Sequence, residues 1–110
     1  MARPKTTRPL GLYPHWPSAQ GYNGPPGARK ETLRLVVERL AQYIADHSWS
    51  LRQASKAVGV NHVSLHDMLT GNTWPRAEHI AQIERALDVA LWPTPEEVHS
   101  VIRERDHNKD

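Results

Sequence analysis

A chain of 110 residues, 38% hydrophobic and without phenylalanine, can bury one modest aliphatic core, which limits it to a single small domain. It has no cysteine, hence no disulfide, thiolate nucleophile or cysteine-based zinc site, and no apolar run of membrane-span or signal-peptide type, so a soluble, cytoplasmic protein is expected. The formal net charge of +2 hides an uneven distribution: residues 1–30 carry Arg3, Lys5, Arg8, Arg29 and Lys30 without an acid, whereas residues 31–90 hold six basic and seven acidic side chains.

Residues 1–27 contain six of the nine prolines and four of the six glycines, a composition that cannot sustain a helix or a paired strand for long. Residues 1–28 are therefore read as a flexible basic arm. Tyr13, Trp16 and Tyr22 exceed what a linker needs and leave open that part of the arm packs on the domain or on a partner. From Arg29 the pattern becomes helical, with Leu33, Val36, Val37, Leu40 and Ile44 at spacings of three and four. Trp49 follows this longest helix and is expected to close the bundle.

Ser50 is a good N-cap, and Ala54, Ser55 and Val58 mark the inward face of a helix of about two turns. Gly59 ends it, because the left-handed conformation needed for a sharp turn costs a residue with a Cβ roughly 1–2 kcal/mol and glycine almost nothing. Val60 fills the space beneath the turn. Asn61 caps a second short helix whose buried face is Leu65, Met68 and Leu69, while His62, Val63, His66 and Asp67 point away from that face.

Thr70-Gly71-Asn72-Thr73-Trp74-Pro75 reads as a loop, and Pro75 suits the start of a helix with the apolar stripe Ile80, Ile83, Ala86 and Leu87, ending near Val89. Leu91, Trp92 and Pro93 interrupt, and Thr94-Pro95-Glu96-Glu97 supplies the cap, proline and acids of a last helix carrying Val98, Val101 and Ile102. The expected fold is all-α: a compact bundle of about five helices over residues 29–105, with residues 106–110 as a charged tail that frays.

Taken together, a Ser-capped short helix, a glycine turn, a second short helix, a glycine-containing loop ending in proline and a longer helix resemble the lambda-repressor-like helix-turn-helix family, also called the xenobiotic-response-element type. The resemblance spans about residues 33–92, with the motif itself at about 50–70. It rests on Trp49-Ser50, Ser55 four before Gly59, Val60, Leu65, Met68, Gly71, Pro75 and the Ile80-Ile83-Leu87 stripe. Ser55 stands where the family usually has alanine, and Ala54 where a larger aliphatic is common. Both are small, so close helix crossing survives over a less filled core.

The resemblance implies a sequence-specific, double-stranded DNA-binding transcription regulator, usually a repressor on paired half-sites. By position, Asn61, His62, Val63, His66 and Asp67 match the base-facing residues. Ser50, Arg52, Thr70, Asn72 and Thr73 match the phosphate-contacting ones. Arg76 joins them, since residues 48–76 carry Arg52, Lys56 and Arg76 against Asp67 alone. The chemistry is sensible independently: histidine can donate to guanine N7 or O6, Val63 can pack on a thymine methyl, and Asp67 can accept from a cytosine amine.

His62 and His66, four apart on one helical face, have a spacing that could ligate a metal. Without a third well-placed ligand that pair makes an adventitious site, so no metal or other cofactor is expected. Arg3, Lys5 and Arg8 suit either a minor-groove arm or a solvated tail. Trp74 reads as a packing residue under its loop rather than a wedge between bases. Lys56 and Glu84-Arg85 read as solvated charges, and Glu96-Glu97 as dipole-matching residues at a helix start. No serine has a base and orienter and no loop cradles phosphate, so no enzyme is expected.

The mechanism expected is occupancy of an operator through the major groove. The alternative is an antitoxin-like or other protein-binding module of the same fold, with the C-terminal helix or the aromatic arm as partner surface. A third reading, a helix-turn-helix used only for protein contact, follows from the near-neutral globular part. Val98, Val101, Ile102 and Trp92 could join two copies in a homodimer or cap the monomer's own core. No small-molecule effector is evident.

Overall fold

The apolar spacing over residues 33–44 forms α2 (Gly27–Asp46), and it supplies Val36, Val37 and Leu40 to the centre of the molecule, with Leu33 and Ile44 partly buried beside them. The computed structural model describes residues 8–22 and 27–107. Four further helices follow: α3 (Leu51–Val58), α4 (His62–Thr70), α5 (Ala77–Leu87) and α6 (Pro95–His107). All five match expected segments within a few residues. Among the described residues the regular structure is entirely helical. No described helix is long and apolar enough to cross a membrane.

One aliphatic core joins these elements. Ala54 and Val58 of α3, Val60 of the turn, Leu65 and Met68 of α4, Ile80 and Ile83 of α5, and Leu91 belong to the same buried cluster as the α2 residues. Each fully buried Leu, Ile or Met contributes about 1.5–3 kcal/mol by leaving water. Ala86, expected in the α5 stripe, is exposed. The α6 stripe divides: Val98 is in the core at 3% exposure, Val101 and Ile102 are half-buried, and Trp92 stays 46% exposed. Trp49 is partly buried beside Tyr43 and His47, whose rings stack at 4.1 Å.

The expected flexible arm is corrected over residues 8–22. A sixth, one-turn helix, α1 (Pro9–Leu12), begins this segment, and Tyr13 and Trp16 are core residues at 0% and 7% exposure. Proline and glycine prevented a long helix there, but burial of two large aromatic rings is ample to fix an irregular segment. Arm residues 1–7 and 23–26, Arg3 and Lys5 included, lie outside the described residues, and residues 27 and 28 begin α2. At the other end α6 continues through His107, past the boundary expected at 105.

The segment is fastened by a buried ionic cluster that sequence patterning did not single out. Glu31 and Arg34 are 0% and 2% exposed. The Glu31 carboxylate accepts from Tyr13 Oη at 2.7 Å, from Arg34 Nε at 2.9 Å and Nη2 at 2.7 Å, and from both terminal nitrogens of Arg105 in α6. Arg34 Nη1 also reaches Pro17 O at 2.8 Å and Glu38 at 2.7 Å. Burial alone would raise the Glu31 pKa, but donation from Arg105, Arg34 and Tyr13 outweighs it and holds the carboxyl below the usual range. Burial, reinforced by the neighbouring Glu31 carboxylate, pushes the Tyr13 phenol up.

Acidic residues also fix the α5–α6 connection. Glu84, read from sequence as a solvated charge, instead accepts from Leu91 N at 2.7 Å and Trp92 N at 3.1 Å. Thr94 and Glu97 form a reciprocal cap at the start of α6, at 3.1 and 2.9 Å, and Glu97 pairs with Arg39 of α2. The backbone amide bond and the Arg39 guanidinium hold the Glu97 carboxyl below its ordinary range.

Candidate nucleic-acid interface

The site is built on α3, the turn 59–61 and α4, and local chemistry sets each boundary. Ser50 and Gln53 form a capping box: Gln53 N donates to Ser50 Oγ at 3.1 Å and Ser50 N to Gln53 Oε1 at 2.8 Å. Gly59 ends α3 at φ 73° in the left-handed region, as its position required. Asn61 caps α4, accepting from Val63 N at 2.8 Å.

Two side chains then lock the turn. Ser55 Oγ donates to Val60 O at 2.5 Å from one side, and Gln82 of α5 donates to Gly59 O at 2.5 Å from the other. The serine that sequence reading treated as an underfilled position is therefore a turn-fixing donor. Its hydroxyl satisfies a carbonyl that the sharp turn takes out of helical pairing. Gln82 carries no periodic signature and was not anticipated.

On α4, Leu65 and Met68 face inward at 0% and 2% exposure, and the opposite side presents His62, Val63 and His66 to solvent. Val63 is 57% exposed, although burying it would be favourable. Ser50, Arg52 and Lys56 of the α3 segment are exposed, as are Asn61 in the turn and Thr73 and Arg76 after α4. The described cations of residues 48–76 thus all face water, and Arg76 makes one exposed contact with Glu78 at 3.5 Å.

Three of the expected contacts are committed elsewhere. Thr70 Oγ1 donates to His66 O at 2.7 Å, so its proton points back into the helix and only its lone pairs face outward. Asp67, expected to face bases, is half-buried; it receives the Asn72 amide at 3.4 Å while its carbonyl accepts from Asn72 N at 2.9 Å. Asn72 is therefore engaged as well. Asp67 instead lines a cleft of about 220 Å³ between α4 and α5, together with Thr73, Trp74, Arg76 and His79. His79 was missed because an isolated histidine in a helix gives no periodic signal.

Trp74 packs under the loop, as expected, meeting Trp16 edge-on with ring centroids 5.5 Å apart. Arg8 is exposed at the N-cap of α1. Among the described residues no cluster of three His, Asp or Glu side chains is arranged to hold a metal ion. In comparisons with known proteins, no family model, curated protein or solved structure matches the chain.

Proposed function

We propose that this chain is a sequence-specific double-stranded DNA-binding regulator of the lambda-repressor-like type, a cytoplasmic repressor that occupies its operator through the major groove. The observation that carries the reading is the outward row of His62, Val63 and His66 on α4. It combines hydrogen-bonding rings with a 57% exposed valine on a short helix whose other face is wholly committed to the core. Those are the groups that read base edges and thymine methyls. Asn61 flanks the row, and Asp67 serves at its margin.

Phosphate contacts fall to Ser50, Arg52, Thr73 and Arg76, and Arg8 keeps its minor-groove role. Thr70 and Asn72 contribute through the backbone geometry they fix. Selection from a random duplex pool at about 150 mM salt, with His66→Ala as a paired control, tests the proposal. An enriched site that the variant loses supports it; an inverted repeat would add a dimer. No enrichment, with binding abolished by modest salt, refutes it.

One observation favours the second reading, a protein-binding module. Trp92 is 46% exposed at the mouth of a largely apolar cleft of about 200 Å³, lined also by Pro93, Pro95, Val98 and His99. Exposed tryptophan beside α6 suits a protein contact. Trp92→Ala tests it through co-purification with the product of a neighbouring gene.

A further inference from the structure

Residues 8–22 converge on the C-terminal end of α4. Trp16 Nε1 donates to Met68 O at 2.9 Å, and Leu10 N donates to Gly71 O at 3.1 Å. Gly71 lies at φ 82°, and a Cβ there would stand 2.9 Å from Leu10 Cγ and 3.0 Å from Trp16 Cγ, so the segment is pressed directly against the helix end. The last four carbonyls of a helix have no intrahelical donor, and Met68 is one of them. The indole therefore supplies a bond that α4 cannot make for itself.

The other side of the segment is anchored independently. Tyr13 donates to Glu31, Pro17 accepts from Arg34, and the Arg105 guanidinium lies 4.5 Å over the Tyr22 ring. Three elements, α2, α6 and the segment itself, thus meet around one buried carboxylate. A nine-residue helix such as α4 is too short to be stable alone, so its position depends on what holds its ends. The turn at Gly59–Asn61 holds one end and residues 10–16 hold the other.

We propose that residues 8–22 are a strap that sets the position of α4, with Trp16 as a positioning residue for the row His62, Val63 and His66. The proposal rests on the DNA-binding reading above for its functional consequence, but its physical content is independent of DNA. Base readout demands placement within about 0.5 Å, whereas phosphate attraction tolerates displacement. Loosening the strap must therefore cost specific binding more than non-specific binding. A residue that merely stabilised the fold would lower both together.

The test uses the full chain with Trp16→Phe, which keeps an aromatic ring and removes the indole donor. Affinity is measured for the most enriched duplex selected by the unmodified protein and for a scrambled duplex of the same composition. Amide exchange is followed at residues 69–73 and in α3. Specific affinity is expected to fall about tenfold, the size of one buried hydrogen bond left unmade, with scrambled-duplex affinity within about twofold. Exchange should accelerate at residues 69–73 and not in α3.

Unchanged specific affinity with unchanged exchange would overturn the strap. If the unmodified protein selects no duplex, the DNA reading falls, and exchange alone decides the strap: faster at 69–73 supports it, unchanged overturns it. Should Trp16→Phe fail to fold, Leu10→Ala, which keeps the backbone bond to Gly71 O but removes the side chain beside Gly71, is read by exchange at 69–73: faster supports the strap, unchanged overturns it.

Discussion

Replacing Glu31 by glutamine removes one charge from the centre of the ionic cluster while nearly conserving volume. The wild-type carboxylate is 0% exposed and is shared by Tyr13, Arg34 and Arg105. An amide can accept at only one of its two ends, and its NH2 would face guanidinium groups. Arg34, 2% exposed, would keep Glu38 and the Pro17 carbonyl but lose its deepest counter-charge. Breaking a buried pair from one side costs about 3–5 kcal/mol, because the remaining charge stays desolvated.

Against a total stability of roughly 5–15 kcal/mol for a domain of this size, that is a large fraction. At about 4 °C per kcal/mol the midpoint should fall by roughly 12–20 °C. Thermal unfolding followed by tryptophan fluorescence measures the midpoint and urea denaturation the free energy, with Tyr13→Phe as a milder comparison expected to lose about 1.5–3 kcal/mol. A loss below about 1 kcal/mol for Glu31→Gln would refute the assignment of the cluster as a structural anchor.

The pH dependence gives a second readout. A carboxyl held lower in the folded than in the unfolded chain contributes its full stability above the unfolded value of about 4.3, and loses it as pH falls through the folded value. The difference between wild type and Glu31→Gln should therefore be greatest near neutrality and shrink below about pH 4. A difference constant down to pH 2 would contradict the sign.

Gly59→Ala should destabilise by at least about 1–2 kcal/mol from the left-handed backbone alone, and its Cβ would stand 2.8 Å from Gln82 Nε2, displacing the donor to Gly59 O; chemical denaturation measures it. Asp88 closes α5 at φ 53°, so Asp88→Gly should raise stability by up to about 1 kcal/mol, read as a higher denaturation midpoint. Ser55→Ala should cost about 1–2 kcal/mol by orphaning the Val60 carbonyl, despite alanine's better helix propensity, and a neutral result would deny the serine its role in the turn.

Sequence alone determined the five longer helices, because their apolar spacing, Ser50 and Asn61 caps and Gly59 stop act within a few residues of chain. It also separated the inward Leu65 and Met68 from the outward His62, Val63 and His66, since helical periodicity fixes that opposition before any packing occurs. Tertiary structure decided the rest. Residues 8–22 read as an arm because proline and glycine report only the lack of regular local structure, whereas burial of Tyr13 and Trp16 depends on surfaces contributed by α2 and α4. Glu31 meets Arg105 across 74 positions, and Gln82 meets Gly59 across 23. Asp67 turned to Asn72, only five positions on, because the chain past the Gly71 cap folds back over the end of α4 and beside the α4–α5 cleft. Periodicity shows which face of a helix leaves water; only the folded chain shows which polar group waits there to be satisfied.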